Sequence, residues 1–114
     1  MKLTDIKDLL RCEVLTGGDD LSMEVETVVA SDGMSEILAF AYPGALMLTG
    51  LTNVQSVRTA DIAQVRAIIY IRGKRPDAKA VNLARENNIP VLMTTLGMFD
   101  VCGILRNAGL KGGM

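Results

Sequence analysis

The sequence predicts an α/β domain, a small and largely parallel β-sheet flanked by helices. Three observations carry that expectation. Residues 45–49, 67–71 and 89–93 are short, almost wholly apolar runs, the pattern of strands covered on both faces. The stretches between them are too long for hairpins and suit right-handed helical crossovers. Residues 66–95 read in order as strand, polar loop, amphipathic helix, tight turn and strand. That is a β-α-β unit at the heart of the chain.

The elements follow in order. Leu3, Ile6, Leu9 and Leu10 form a helical stripe, with Thr4 as N-cap and Asp5 in the first turn, where acidic groups complement the helix dipole. Glu13–Thr16 is a short strand, and Gly17-Gly18-Asp19-Asp20 turns the chain. Residues 24–31 begin with alternation and become apolar, as a strand entering a buried sheet does. Asp32-Gly33 breaks that strand. A helix follows over 34–42, capped by Asp32 or Ser35, with Met34, Ile37, Leu38 and Ala41 on one face. Tyr42-Pro43-Gly44 ends it, since proline cannot continue a helix. After the strand at 45–49 comes a helix over 54–64, and after that at 67–71 the clearest helix, 77–87. Pro76 and Asp77 suit its start, Ala80, Val81 and Ala84 face inward, and Asn87-Asn88 closes it. The strand at 89–93 leads to a last helix over 98–108, ended by Gly109. One domain over 1–110 is expected, with 111–114 as a frayed, flexible tail.

Composition narrows the function. The chain has 114 residues, 49% hydrophobic and only 4% aromatic, without Trp, so its core is aliphatic. A net charge of −1 argues against nucleic acid as a partner, which calls for a basic face. Histidine is absent and cysteine numbers two, Cys12 and Cys102. Zinc and iron–sulfur sites need about four such ligands, so neither a metal nor another cofactor is expected. The start Met1-Lys2-Leu3-Thr4-Asp5 does not read as a secretion signal. No apolar run approaches the roughly 20 residues that span a bilayer. A cytoplasmic protein without a membrane partner is the expectation.

In a parallel sheet, the strand C-termini would gather four polar loops: Ser31-Asp32-Gly33, Thr49-Gly50-Leu51-Thr52-Asn53, Arg72-Gly73-Lys74-Arg75 and Thr94-Thr95-Leu96-Gly97. Open α/β sheets bind ligands at that edge. Hydroxyls, cations and helix N-termini together suit a phosphate or carboxylate. The candidate ligand-binding residues are Thr49, Asn53, Arg72, Gly73, Lys74, Arg75, Thr94 and Thr95. Neither a Walker A pattern nor GxGxxG is present, and Arg58 and Arg66 read as surface charges. No catalytic residue stands out. Without histidine the commonest general base is missing, Cys102 reads as a buried thiol, and Cys12 lies beside Arg11 with no helper. Met23, Met34, Met47, Met93 and Met98 read as core filling.

From about Leu9 to Leu110 the chain resembles DRTGG domains. The resemblance rests on Val14-Leu15-Thr16-Gly17-Gly18 with Leu21 and Glu24-Val25, and on Tyr42-Pro43-Gly44-Ala45-Leu46-Met47-Leu48-Thr49. It continues in Ala67-Ile68-Ile69 with Gly73 and Arg75-Pro76, and in Ile89-Pro90-Val91-Leu92. Such domains occur fused to CBS, pyrophosphatase and phosphotransacetylase units and are similar to the N-terminal domain of HPr kinase. The resemblance implies a regulatory or oligomerising module and not an enzyme. It also implies a homodimer, while the polar strand-end loops add the expectation of a small anionic ligand such as a nucleotide or phosphorylated metabolite. The chain departs from the family pattern where Ile71-Arg72-Gly73 stands for Thr-Gly-Gly, and where Gly50-Leu51-Thr52-Asn53 stands for Gly-Asp-Arg. Its ending, with the 72–76 loop, resembles standalone members encoded beside iron-hydrogenase-like proteins in anaerobic bacteria. The alternative that follows is an adaptor docking on such a redox complex, or on a signalling protein, with no small ligand.

Overall fold

The computed structural model describes residues 1–114, the side chain of Asp20 excepted; what the sequence reads into Asp20 therefore lies outside the described residues. Five α-helices and six strands alternate: α1 Leu3–Leu10, β1 Glu13–Thr16, β2 Thr27–Ala30, α2 Met34–Phe40, β3 Leu46–Thr49, α3 Val54–Ile62, β4 Ala67–Tyr70, α4 Ala78–Glu86, β5 Val91–Met93, α5 Met98–Asn107 and β6 Lys111–Gly112. A 3-10 turn, Gly18–Asp20, follows β1.

The strands form one sheet in the order β1-β5-β4-β3-β2-β6. Only β1 runs antiparallel, against β5; all other pairs are parallel. From β2 to β5 the chain steps one strand at a time in one direction. Right-handed crossovers then place α2, α3 and α4 on one face. The step from β5 to β6 runs the opposite way, so α5 crosses on the other face, beside α1.

Strand residues sort by period two. Met47, Ile68, Tyr70 and Val91 join Ile37, Val57, Ala60, Ala80 and Ala84 in one core. Leu46, Leu48, Ile69, Ile71 and Leu92 join Leu3, Ile6, Leu10, Val101 and Leu105 in the other. Two apolar faces explain why β3 and β4 are buried along their whole length.

Some local expectations change. Helix α1 spans the expected Leu3–Leu10, but its N-cap is Lys2 and not Thr4. Its first amides are met by backbone, Leu3 N–H donating to the Met23 carbonyl and Thr4 N–H to that of Leu21. Neither Asp32 nor Ser35 caps α2, whose N-cap is Gly33. Leu9 and Leu38, read as core positions, are 44% and 45% exposed. The end of the chain also differs from a frayed tail. Lys111 and Gly112 pair with Thr27 and Val28 as β6. Gly113 donates to the Val28 carbonyl and accepts from the Tyr42 amide at 2.6 Å. It is buried so closely that a Cβ there would lie 3.0 Å from Ala45 Cβ. Glycine lets this segment close the β2 edge.

Candidate functional site

The connections after β4 and β5 leave the sheet toward opposite faces, so their start is a switch point, where such sheets bind ligands. The 71–74 turn and the 94–97 loop meet there. Arg72 and Gly73 have φ of 59° and 66°, and Lys74 N–H donates to the Ile71 carbonyl. Two consecutive positive-φ residues are what a type I′ turn requires. The other non-glycine residues with positive φ (Arg11, Gln64 and Asn88) follow helix ends, where this conformation is common. Arg72 holds it in a strand-end turn, at a cost of about 1 kcal/mol relative to glycine.

The eight candidate residues are not equally free of partners within the fold. Thr49 is fully buried; its hydroxyl donates to Asp32 Oδ1 at 3.2 Å and accepts from Leu51 N–H at 3.1 Å. The Thr94 hydroxyl donates to the Leu10 carbonyl at 2.8 Å and accepts from Leu96 N–H at 3.2 Å. Asn53 is the N-cap of α3 and accepts from Gln55 N–H. Arg75 turns back to β1 and grips Glu13 with two bonds of 3.1 Å. The hydroxyls of Thr49 and Thr94 and the guanidinium of Arg75 are thus committed within the fold. The amides of Arg72 and Gly73 are committed too, to the carbonyls of Leu96 and Thr94.

Arg72, Lys74 and Thr95 remain, all exposed. Among the described residues, neither Arg72 nor Lys74 has a carboxylate within 4.0 Å. The Arg72 guanidinium lies across Gly50, its Nη2 only 2.6 Å from where a Cβ would stand. Asp32, outside the eight candidates although its loop reaches the same edge, stands beside Gly50. Its Oδ1 accepts the Gly50 amide at 2.6 Å as well as the Thr49 hydroxyl. An acidic residue closing a strand at the ligand edge was the available signal.

A hollow of about 670 Å³ lies at the opposite edge, lined by Pro43, Gly44, Asp61, Gln64, Arg66 and Asn88 among others. Helices α2, α3 and α4 end toward that edge, and helix C-termini repel anions. For an anionic ligand the switch-point edge is favoured despite its openness.

Catalytic groups are few. Burial pushes the Cys12 thiol up to about 11 against the opposing charge of Lys7, and it pushes Cys102 up as well. Both are thereby poor nucleophiles at neutral pH. Among the described residues no group of three or more Cys, Asp or Glu is placed to hold a metal. None of the helices described is long and apolar enough to cross a membrane.

Comparison with known proteins agrees with the topology. No curated protein matches the chain. A crystal structure of the CBS and DRTGG domains from the regulatory region of Clostridium perfringens pyrophosphatase, complexed with the activator diadenosine tetraphosphate, is similar. Its TM-score is 0.79 at 21% identity, and the match covers 91% of this chain and 45% of that one. The chain thus spans less than half of that structure, and the likeness is one of fold. The DRTGG domain profile matches residues 5–108; the chain belongs to the DRTGG domain family.

Proposed function

We propose that the protein is a non-catalytic regulatory module that senses a nucleotide or phosphorylated metabolite at the switch-point edge. One observation carries this reading. Arg72 is held in a left-handed conformation with its guanidinium free of any carboxylate among the described residues, beside the unpaired Lys74. The similar pyrophosphatase regulatory region, whose structure contains diadenosine tetraphosphate, supports a nucleotide as the ligand class. The test is a thermal-shift panel of AMP, ATP, diadenosine tetraphosphate and inorganic phosphate. A ligand at about 100 times its Kd raises stability by ~2.7 kcal/mol, or on the order of 10 °C in Tm. Arg72→Ala with Lys74→Ala abolishes the shift. A flat panel on the intact chain overturns the reading.

A second reading, a pairing or docking module, rests on the outer face of α5. Phe99 is 89% exposed. Gly103, four residues on and therefore on the same helical face, has nothing within 4 Å of where a Cβ would be. An antiparallel second copy could seat each Phe99 over the other Gly103, a self-complementary two-fold contact. Solution mass tests this. A dimer that Phe99→Ser converts to monomer supports pairing, whereas a monomer at all concentrations leaves the face to a redox or signalling partner.

A further inference from the structure

The switch-point edge is divided by charge. Asp32 Oδ1 already takes the Gly50 amide and the Thr49 hydroxyl, the two donors a phosphate would seek at the β3–α3 turn. A second anion there would face the Asp32 charge at close range. The phosphate is thereby directed toward Arg72 and Lys74.

The other carboxylate oxygen is differently placed. Among the described residues Asp32 Oδ2 accepts no hydrogen bond. It lies 3.3 Å from the point a Gly50 Cβ would occupy, while Arg72 Nη2 approaches the same point to 2.6 Å. Yet no guanidinium nitrogen of Arg72 lies within 4.0 Å of an Asp32 carboxylate oxygen. Gly50 is thus the floor of a small notch with an acceptor on one wall and a cation on the other. A bare phosphate satisfies only the cationic wall. A ligand bearing both an anion and a nearby O–H donor satisfies both.

We propose that Asp32 reads the sugar of a nucleotide, accepting a hydrogen bond from a ribose hydroxyl while the phosphate lies on Arg72 and Lys74. This deepens the nucleotide-sensing reading and rests on it. A carboxylate at a strand C-terminus is suited to the task, because it only accepts and a ribose hydroxyl can donate. A site built around such a bond discriminates strongly against an analogue lacking the hydroxyl.

Titration calorimetry on the full chain with AMP, 2′,3′-dideoxy-AMP and inorganic phosphate tests the assignment. The wild type binds AMP about tenfold or more tightly than the dideoxy analogue, the effect of one charge-assisted hydrogen bond. Asp32→Ala brings that ratio toward one and tightens inorganic phosphate, since a repelling charge is gone. Asp32→Asn keeps an oxygen for the Gly50 amide and reduces the ratio while leaving the apo Tm near that of the wild type. A purely structural role for Asp32 would weaken all three ligands alike. Equal binding of AMP and dideoxy-AMP by the wild type overturns the Asp32 assignment and leaves the anion site standing. Failure of all three to bind overturns both.

Discussion

The Tyr70 and Ser56 hydroxyls lie 2.7 Å apart with both side chains fully buried. Ser56 also lies 2.7 Å from the Asn53 carbonyl, to which it must donate. Its single proton thus committed, it accepts from Tyr70. The relay ties the end of β4 to the first turn of α3, beneath the loop that carries Gly50. Burial pushes the Tyr70 hydroxyl above the usual tyrosine range, and the bond to Ser56 opposes that shift.

The relay makes an asymmetric prediction. Tyr70→Phe removes a donor but leaves Ser56 bonded to Asn53, and costs about 0.5–1.5 kcal/mol. Ser56→Ala strands a buried phenol and costs about 1–3 kcal/mol. The double variant costs no more than Ser56→Ala alone, a coupling that urea denaturation of the four proteins would resolve. Additive losses would show that the bond is not made.

Thr59 presents the converse case. It is fully buried in α3 and its hydroxyl has no hydrogen-bond partner among the described residues. Replacing an unsatisfied hydroxyl by a methyl of the same shape removes a desolvation penalty. Thr59→Val is expected to stabilise the protein by about 1 kcal/mol, and Thr59→Ser to give no gain. Equal urea midpoints for wild type and Thr59→Val would mean that an ordered water satisfies the group.

These two sites mark the limit of what the sequence discloses. Apolar runs such as 67–71 are local signals that the structure follows closely, and the stripe of α1 is followed at Leu3, Ile6 and Leu10 though not at Leu9. The charges of Arg72 and Lys74 were legible for the same reason. The partners that withdraw Thr94 and Arg75 were not, because Leu10 and Glu13 lie 84 and 62 positions away. Only the pairing of β1 with β5 brings those segments together. Strand β6 was equally hidden. Lys111-Gly112-Gly113 carries no apolar pattern, and the burial of Gly113 depends on a close approach to Ala45 that only the assembled sheet defines.

Stability should fall in alkali through Cys12. Its folded value is raised to about 11 from an ordinary 9.0, so the unfolded chain releases this proton first as pH rises. The stabilisation is whole below pH 9 and fades between pH 9 and 11. Urea midpoints across that window should fall more steeply for the wild type than for Cys12→Ala. Iodoacetamide should modify Cys12 slowly at pH 7. Parallel pH profiles of the two proteins would refute the raised value.

Gly17 and Gly50 should respond to alanine in opposite ways. Gly17 has φ of 76°, and a Cβ there would come 2.8 Å from Pro90 Cα. Backbone cannot move aside cheaply, so Gly17→Ala costs more than ~1 kcal/mol and loosens the β1–β5 pairing. At Gly50 the atoms nearest a Cβ belong to side chains, Arg72 Nη2 at 2.6 Å and Asp32 Oδ2 at 3.3 Å. The end of a flexible arginine can swing away, so Gly50→Ala changes stability by less than ~1 kcal/mol. It fills the notch and displaces the guanidinium, so AMP binding weakens at least severalfold. Urea denaturation of both variants and calorimetry of Gly50→Ala decide the matter. A Gly50→Ala protein that binds AMP like the wild type would place the ligand away from the notch between Asp32 and Arg72.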